Sequence, residues 1–164
     1  IEVIERGEIR RRLARALVAR LPARIGHLEL KVISERLSWG RDCLHLEEIA
    51  SSAGPGTIVM IAVESEQLTE IFRGSGEGGL PAEKVAKATA KPAIEYLAAD
   101  VPVGRYLADQ LLIPLAMARG GAFRTLPLTR HTTTNIEMVK RFLDVGIVVT
   151  DLGRNAHEIR IHPA

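Results

Sequence analysis

Cysteine occurs once in the 164 residues, at Cys43, so no disulfide can form within the chain. That fits a reducing compartment, and a cytoplasmic location is expected. Aromatic residues make up only 4%, with a single Trp, so any core must be assembled mainly from aliphatic side chains. No apolar run approaches the roughly 20 residues that span a bilayer, and the start lacks a signal-peptide layout, so no membrane partner is expected. A dominant charge is missing too. The 22 Lys and Arg stand against 20 Asp and Glu, a net charge of +2, which is a weak hint of an anionic partner. The histidines at 27, 45, 157 and 162 show no metal-ligand spacing, and no G-x-x-x-x-G-K-[ST] loop or paired carboxylates are present.

What is present reads as globular: 46% hydrophobic and 26% charged residues, enough for one ordinary domain or two small ones. The opening stretch, residues 1–21, is ambiguous. Ile9, Leu13, Leu17 and Leu21 recur at spacing four, as on a helix, whereas Val3, Ile4 and Gly7 favour a strand before it. Arg10, Arg11, Arg12 and Arg15 are either a solvated basic face or a set of phosphate contacts. A helix is predicted from Pro22 to about Leu37 and a strand over Thr57–Val63, after the Gly54-Pro55-Gly56 turn. The run Gly74–Gly79, GSGEGG, matches G-x-G-x-x-G literally and is read as a flexible loop. A helix from Pro81 to about Ala98 should kink at Pro92. Beyond the break at AADVPVG come a helix (Val103 to Ala118), a strand (about Ala122 to Thr129), a helix (Asn135 to Leu143), a strand (Val145 to Thr150) and a last strand near Glu158–His162.

Two stretches carry chemistry. In TRHTTTNIEMVKRFL, Thr134 and Glu137 have the spacing of a capping box, which predicts a helix start at Asn135. His131 then lies just outside that start, where free N–H groups and the positive dipole end welcome an anion such as phosphate. An uncharged imidazole is a nucleophile near neutral pH; the plainer reading is a solvent-facing loop histidine. In RYLADQLLIPLAMA, Tyr106, Asp109 and Gln110 share one helical arc, and Pro114 removes the N–H that would bond the Gln110 carbonyl. A carboxylate on so apolar a helix calls for a partner or a site, and Asp109 capping a neighbouring loop is the competing reading.

Taken together, VGRYLADQLLIPLAMARGGAF and RHTTTNIEMVKRFL resemble the RNA 3'-terminal phosphate cyclase family. The upstream run from GPGTIVMIAV to AIEYLA resembles that family's inserted domain, and IERGEI resembles the strand before the insert. The resemblance implies an α/β (α+β) fold: a βαβαββ repeat of the cyclase body formed by residues 1–8 and 99–164. A thioredoxin-like α/β domain would be inserted at residues 9–98. It implies conversion of an RNA 3'-phosphate end to a 2',3'-cyclic phosphate at the expense of ATP, with a divalent cation, Mg or Mn. His131 would carry AMP covalently, and Tyr106, Leu107, Ala108, Asp109 and Gln110 would line the nucleotide pocket. Members of the family are roughly twice as long, so this chain, which opens on Ile1, is expected to be the later part. The earlier half would be its partner in the active site. Pro92, and Arg15-Ala16 where a glycine-containing strand would be expected, depart from the family pattern; a strand is still the expectation for that opening stretch. Two other readings remain: a non-catalytic relative acting in ribosome assembly, which would not need the histidine, and a basic RNA-binding fragment.

Overall fold

A computed structural model describes residues 3–4, 7–76 and 78–164, the side chains of residues 3 and 4 excepted. Residues 1, 2, 5 and 6 of the expected first strand, and residue 77 of the glycine-rich run, lie outside the described residues. In chain order the elements are β1 (Val3–Ile4), β2 (Ile9–Ala19), α1 (Arg24–Leu37), β3 (Leu44–Ile49), β4 (Gly56–Ser65) and β5 (Thr69–Gly76). They continue with α2 (Ala82–Ala99), α3 (Arg105–Met117), β6 (Gly121–Thr125), α4 (Arg130–Phe142), β7 (Val145–Gly153) and β8 (Ala156–Pro163). Helices and strands are mixed in both units, with two four-stranded sheets, and the fold class is α/β. Contacts divide the chain into two compact units: Ile1–Glu8, Ser65–Glu70 and Tyr96–Ala164 in one, Ile9–Glu64 and Ile71–Glu95 in the other. Residues 65–70 and 96–98, expected with the inserted segment, cluster with the first unit.

In the second unit the strand order is β3-β2-β4-β5. β2 and β3 pair in parallel from Ala14↔Leu44 to Ala19↔Ile49, joined by the crossover helix α1. The opening ambiguity resolves as strand because Ala14, Ala16 and Val18 alternate into the core with a period of two. Small residues there let α1 approach closely; a Cβ on Gly26 would collide with Leu46 and Val18. The glycine-rich run departs from the loop expectation in its first half, since Gly74 and Gly76 end β5. Their lack of a side chain has a packing reason, because a Cβ at Gly74 would collide with Thr89 of α2. α2 runs without interruption through Pro92. Arg10, Arg11 and Arg12 lie at the exposed end of β2 and Arg15 is half-buried farther along it; Arg11 and Arg15 sit 3.9 and 3.8 Å from Glu64 and Glu47. That pairing favours the solvated basic face over a row of phosphate contacts.

In the first unit the order β1-β6-β8-β7 follows from one parallel and two antiparallel pairings. The elements β1, α3, β6, α4, β7 and β8 make a βαβαββ sequence. β7 and β8 form a hairpin through Arg154 and Asn155, both at positive φ, as a two-residue type I′ turn demands. The core takes Ala108, Leu112 and Ala116 from α3 and Ile136 and Val139 from α4, at helical spacing. Phe123, Ile147, Ile159 and Ile161 supply the sheet face. Burying each large aliphatic contributes about 1.5–3 kcal/mol. α3 starts two residues later than expected, because Val103 bridges to Thr125 as a strand residue. It ends in a Schellman turn: Gly120 N–H donates to the Leu115 carbonyl at 3.1 Å, Arg119 N–H donates to Ala116 at 3.0 Å, and Arg119 is left-handed. β6 stops at Thr125, four residues short of the expected end, which frees Thr129 for another task.

Candidate active site

That task is capping. The Thr129 hydroxyl accepts the Thr132 N–H at 3.1 Å, and α4 therefore begins at Arg130, not at Asn135. The Thr134–Glu137 pair has capping-box spacing but lies inside the helix, on its exposed side. An earlier threonine with a hydroxyl in reach of N3 had already closed the end. The Thr129 hydroxyl also shares a hydrogen bond of 2.9 Å with that of Thr132, which is fully buried. His131 accordingly occupies the second helical position, exposed to solvent, within the first turn and not before it. The first-turn N–H groups and the positive dipole end are still its neighbours.

The second stretch begins with a buried acid. Gly104, the N-cap of α3, donates its N–H to Glu70 Oε1 at 2.5 Å. Glu70 is buried, and burial pushes its carboxyl above the usual glutamate range, with the Gly104 hydrogen bond pulling the other way. A Cβ on Gly104 would lie 2.6–2.9 Å from the Glu70 carboxyl atoms, so this contact needs glycine. Along α3, Tyr106 is 66% exposed, Gln110 is exposed and Asp109 is half-buried. Ala108 belongs to the core, and Leu107 packs against it. Of the five expected pocket residues, Tyr106 and Gln110 are exposed, Leu107 and Asp109 are half-buried and Ala108 is buried.

Asn135 joins the two stretches. Its side-chain amide donates to Asp109 Oδ1 at 2.9 Å and to the Asp109 main-chain carbonyl at 3.3 Å. Asn135 lies four residues after His131, on the same arc of α4, and Tyr106 lies three before Asp109 on α3. The hydrogen-bonded pair thus ties the histidine's helix to that of the tyrosine. This answers the question of the acid on an apolar helix: Asp109 has a polar partner across the helix pair rather than a loop to cap. Sequence reading missed Asn135, which served only to mark a helix start. Its signal was the spacing of four from His131. Glu70 carried no local signal at all, being 34 residues from Gly104. Among the described residues, no three His, Cys, Asp or Glu side chains are grouped to hold a metal ion. Among the described residues no helix is long and apolar enough to cross a membrane.

The chain thus presents two α/β units, one interrupting the sequence of the other, with a histidine in the capped first turn of α4, a helix bonded to α3 through Asn135 and Asp109. Residues 4–98 match the family profile described as RNA 3'-terminal phosphate cyclase (RTC), insert domain. Curated proteins named RNA 3'-terminal phosphate cyclase are similar along most of the chain. The one from Koribacter versatilis is 40% identical over 151 residues, covering 92% of this chain and 42% of the relative. That from Ectopseudomonas mendocina is 37% identical over 144 residues, covering 88% and 42%. That from Salmonella agona is 40% identical over 145 residues, again covering 88% and 42%. The chain belongs to the RNA 3'-terminal phosphate cyclase family. It spans less than half the length of these curated relatives.

Proposed function

We propose that this chain supplies the nucleotide-carrying part of an ATP-dependent RNA 3'-terminal phosphate cyclase, with His131 as the nucleophile. The observation that carries this reading is the exposed imidazole in the first turn of α4, linked through Asn135 and Asp109 to the helix bearing Tyr106 and Gln110. One ring nitrogen attacks the α-phosphorus of ATP, the bond to the β-phosphate oxygen breaks, and pyrophosphate leaves. An oxygen of the RNA 3'-phosphate then attacks the same phosphorus, breaking the N–P bond and taking AMP. Finally the neighbouring 2'-hydroxyl attacks the 3'-phosphorus, loses its proton and expels AMP, closing the ring. The covalent step divides one difficult substitution into easier ones, because it converts a phosphate oxygen into a good leaving group.

The chain's own residues contribute placement. The N–H groups at the start of α4 offer hydrogen bonds to a phosphate held beside His131. Tyr106, largely exposed, offers a face for the base, and the Asn135–Asp109 bond fixes the helix pair against which both act. A divalent cation would neutralise charge on the transferring phosphoryl group. With no cluster of candidate ligands among the described residues, it would be carried chiefly by the nucleotide's phosphates. The remaining active-site groups, and the partner RNA end, are assigned to the segment that the longer relatives possess in addition.

The test is transfer of label from α-labelled ATP to the full-length protein in the presence of Mg or Mn. A histidine phosphoramidate should survive alkali and be lost in acid. His131→Ala should abolish labelling; labelling that persists in that variant would remove His131 from the mechanism.

A further inference from the structure

In the second unit, a cavity of about 210 Å³ opens where the end of β5 turns toward α2. Glu29 of α1 and Thr57 of β4 contribute polar side chains, and Leu21, Ile25 and Val85 are among its aliphatic ones. Glu29 is only 1% exposed. The Thr57 hydroxyl donates to Glu29 Oε1 at 2.9 Å, while Oε2, equally enclosed, has no partner among the described residues. A buried carboxyl oxygen without a partner is a costly arrangement that a ligand would relieve. Gly76 makes room for the Thr57 hydroxyl that bonds Glu29: a Cβ there would collide with that hydroxyl and lie 3.9 Å from Glu29 Oε1. Gly78 and Gly79, also in the lining, have nothing within 4 Å of where a Cβ would stand.

A glycine run before a helix start suggests a phosphate cradle. Among the described residues the lining holds no Lys or Arg to meet a phosphate's charge, which argues against one. Burial raises the Glu29 carboxyl above the usual range, and the Thr57 bond opposes this. Whatever donor a ligand brings, the unpartnered Oε2 is the atom of this wall that can accept from it. The volume falls below the roughly 300–1,000 Å³ of pockets for drug-sized molecules, and suits one ring system, not a nucleotide. A sugar would leave hydroxyls unpaired against the aliphatic walls. A base has apolar faces and a polar edge of adjacent donors and acceptors, the pattern read in pockets for extruded bases.

We propose that this cavity binds a single uncharged heterocyclic ring of the nucleobase type, its faces against Leu21, Ile25 and Val85 and its polar edge against the Glu29 carboxyl. The site goes beyond the His131 chemistry and does not depend on it. A base could come from a free nucleoside or from a single-stranded RNA; the recognition chemistry is shared.

The full chain is titrated separately with adenosine, guanosine, cytidine, uridine and short single-stranded oligoribonucleotides, following backbone amide resonances. At least one nucleoside should shift Gly76, Gly78 and Gly79 saturably. Leu21→Trp, a half-exposed position that can fill the cavity without disturbing the core, should weaken binding tenfold or more while leaving the other resonances in place. Glu29→Gln keeps the shape but fixes an NH2 donor, and should change the preference among the four nucleosides by at least fivefold. Tighter binding of an oligonucleotide through the same amides would identify a strand as the source; equal affinity would identify the free base. Absence of saturable shifts with every nucleoside, or shifts unchanged in both variants, would overturn the proposal. Because labelling by ATP is read separately, failure here leaves the cyclase reading standing, and the reverse also holds.

Discussion

Asn135 holds Asp109 twice, through the carboxylate at 2.9 Å and through the main-chain carbonyl at 3.3 Å. The second contact falls one residue before Gln110, the carbonyl whose helical donor Pro114 removes, so the bond is made where the helix ladder is already thinned. Truncating either partner strands a half-buried polar group. Asn135→Ala and Asp109→Ala should each destabilise by about 1–2 kcal/mol, and a double-mutant cycle should show coupling of roughly 0.5–3 kcal/mol. If the pair also positions His131, each single variant should slow labelling by ATP tenfold or more under conditions where the protein remains folded. Asn135→Asp, which sets two carboxylates together, should be worse than Asn135→Ala in both measurements.

The start of α4 gives a sharp comparison between two threonines. Thr129→Ala removes the hydroxyl that caps Thr132 N–H and should cost about 1 kcal/mol, within a range of roughly 0.5–2. Thr134→Ala changes an exposed residue inside the helix and should stay within about 0.5 kcal/mol of the parent. Chemical denaturation of the two variants checks this. The reverse order would restore the helix start to Asn135.

That comparison also shows where sequence reading stops. The Thr134–Glu137 spacing alone predicts the helix start at Asn135, and the short distance from Thr132 N to Thr129 Oγ1, which the spacing does not reveal, sets it at Arg130. The opening segment, where a strand is expected and β2 forms, is ambiguous by spacing for a different reason. Apolar residues at spacing four satisfy a helical period and a strand period alike, since four is also twice two. In the sheet Leu13 and Leu17 take the half-buried face, and the deciding residues are the small Ala14 and Ala16, which carry little periodic signal. Elements with unambiguous chemistry were legible: the strand after Gly54-Pro55-Gly56, the stop near Gly120, and the turn at DLGRN. The relation between Asp109 and Asn135, and that between Glu70 and Gly104, bridge 26 and 34 residues of sequence. Contacts of that kind leave no local pattern to read.

The two buried glutamates set a pH dependence of stability. Burial is the leading cause of the upward shift at both Glu29 and Glu70, so the folded chain binds protons more tightly than the unfolded one. Between the ordinary glutamate value of about 4.3 and the raised values, the folded state holds protons that the unfolded state has released. Stability from these groups is therefore complete below about 4.3 and is lost as pH rises through the folded pKa values. Unfolding midpoints measured across this window should fall with rising pH after comparison with a Glu29→Gln, Glu70→Gln variant. In that double variant the component should vanish. A profile identical in parent and variant would mean that neither carboxyl is perturbed.

Gly104 tests whether the contact with Glu70 sets the start of α3. Its backbone is extended, with φ at −73°, so an alanine meets no conformational penalty and any cost comes from space. The added methyl carbon would sit 2.6–2.9 Å from the Glu70 carboxyl atoms and compete with the hydrogen bond at 2.5 Å. Gly104→Ala should therefore destabilise by about 1–3 kcal/mol, the usual range for overfilling a packed position. Shortening the acid should make room, so Glu70→Asp combined with Gly104→Ala should cost less than the sum of the two single changes. Labelling by ATP in Gly104→Ala provides the functional reading, because a displaced first turn of α3 moves Tyr106 while leaving His131 on α4 untouched. A loss of labelling that the double variant partly restores would place Glu70 among the residues that position the site. Strict additivity of the two changes would show that acid and glycine act separately.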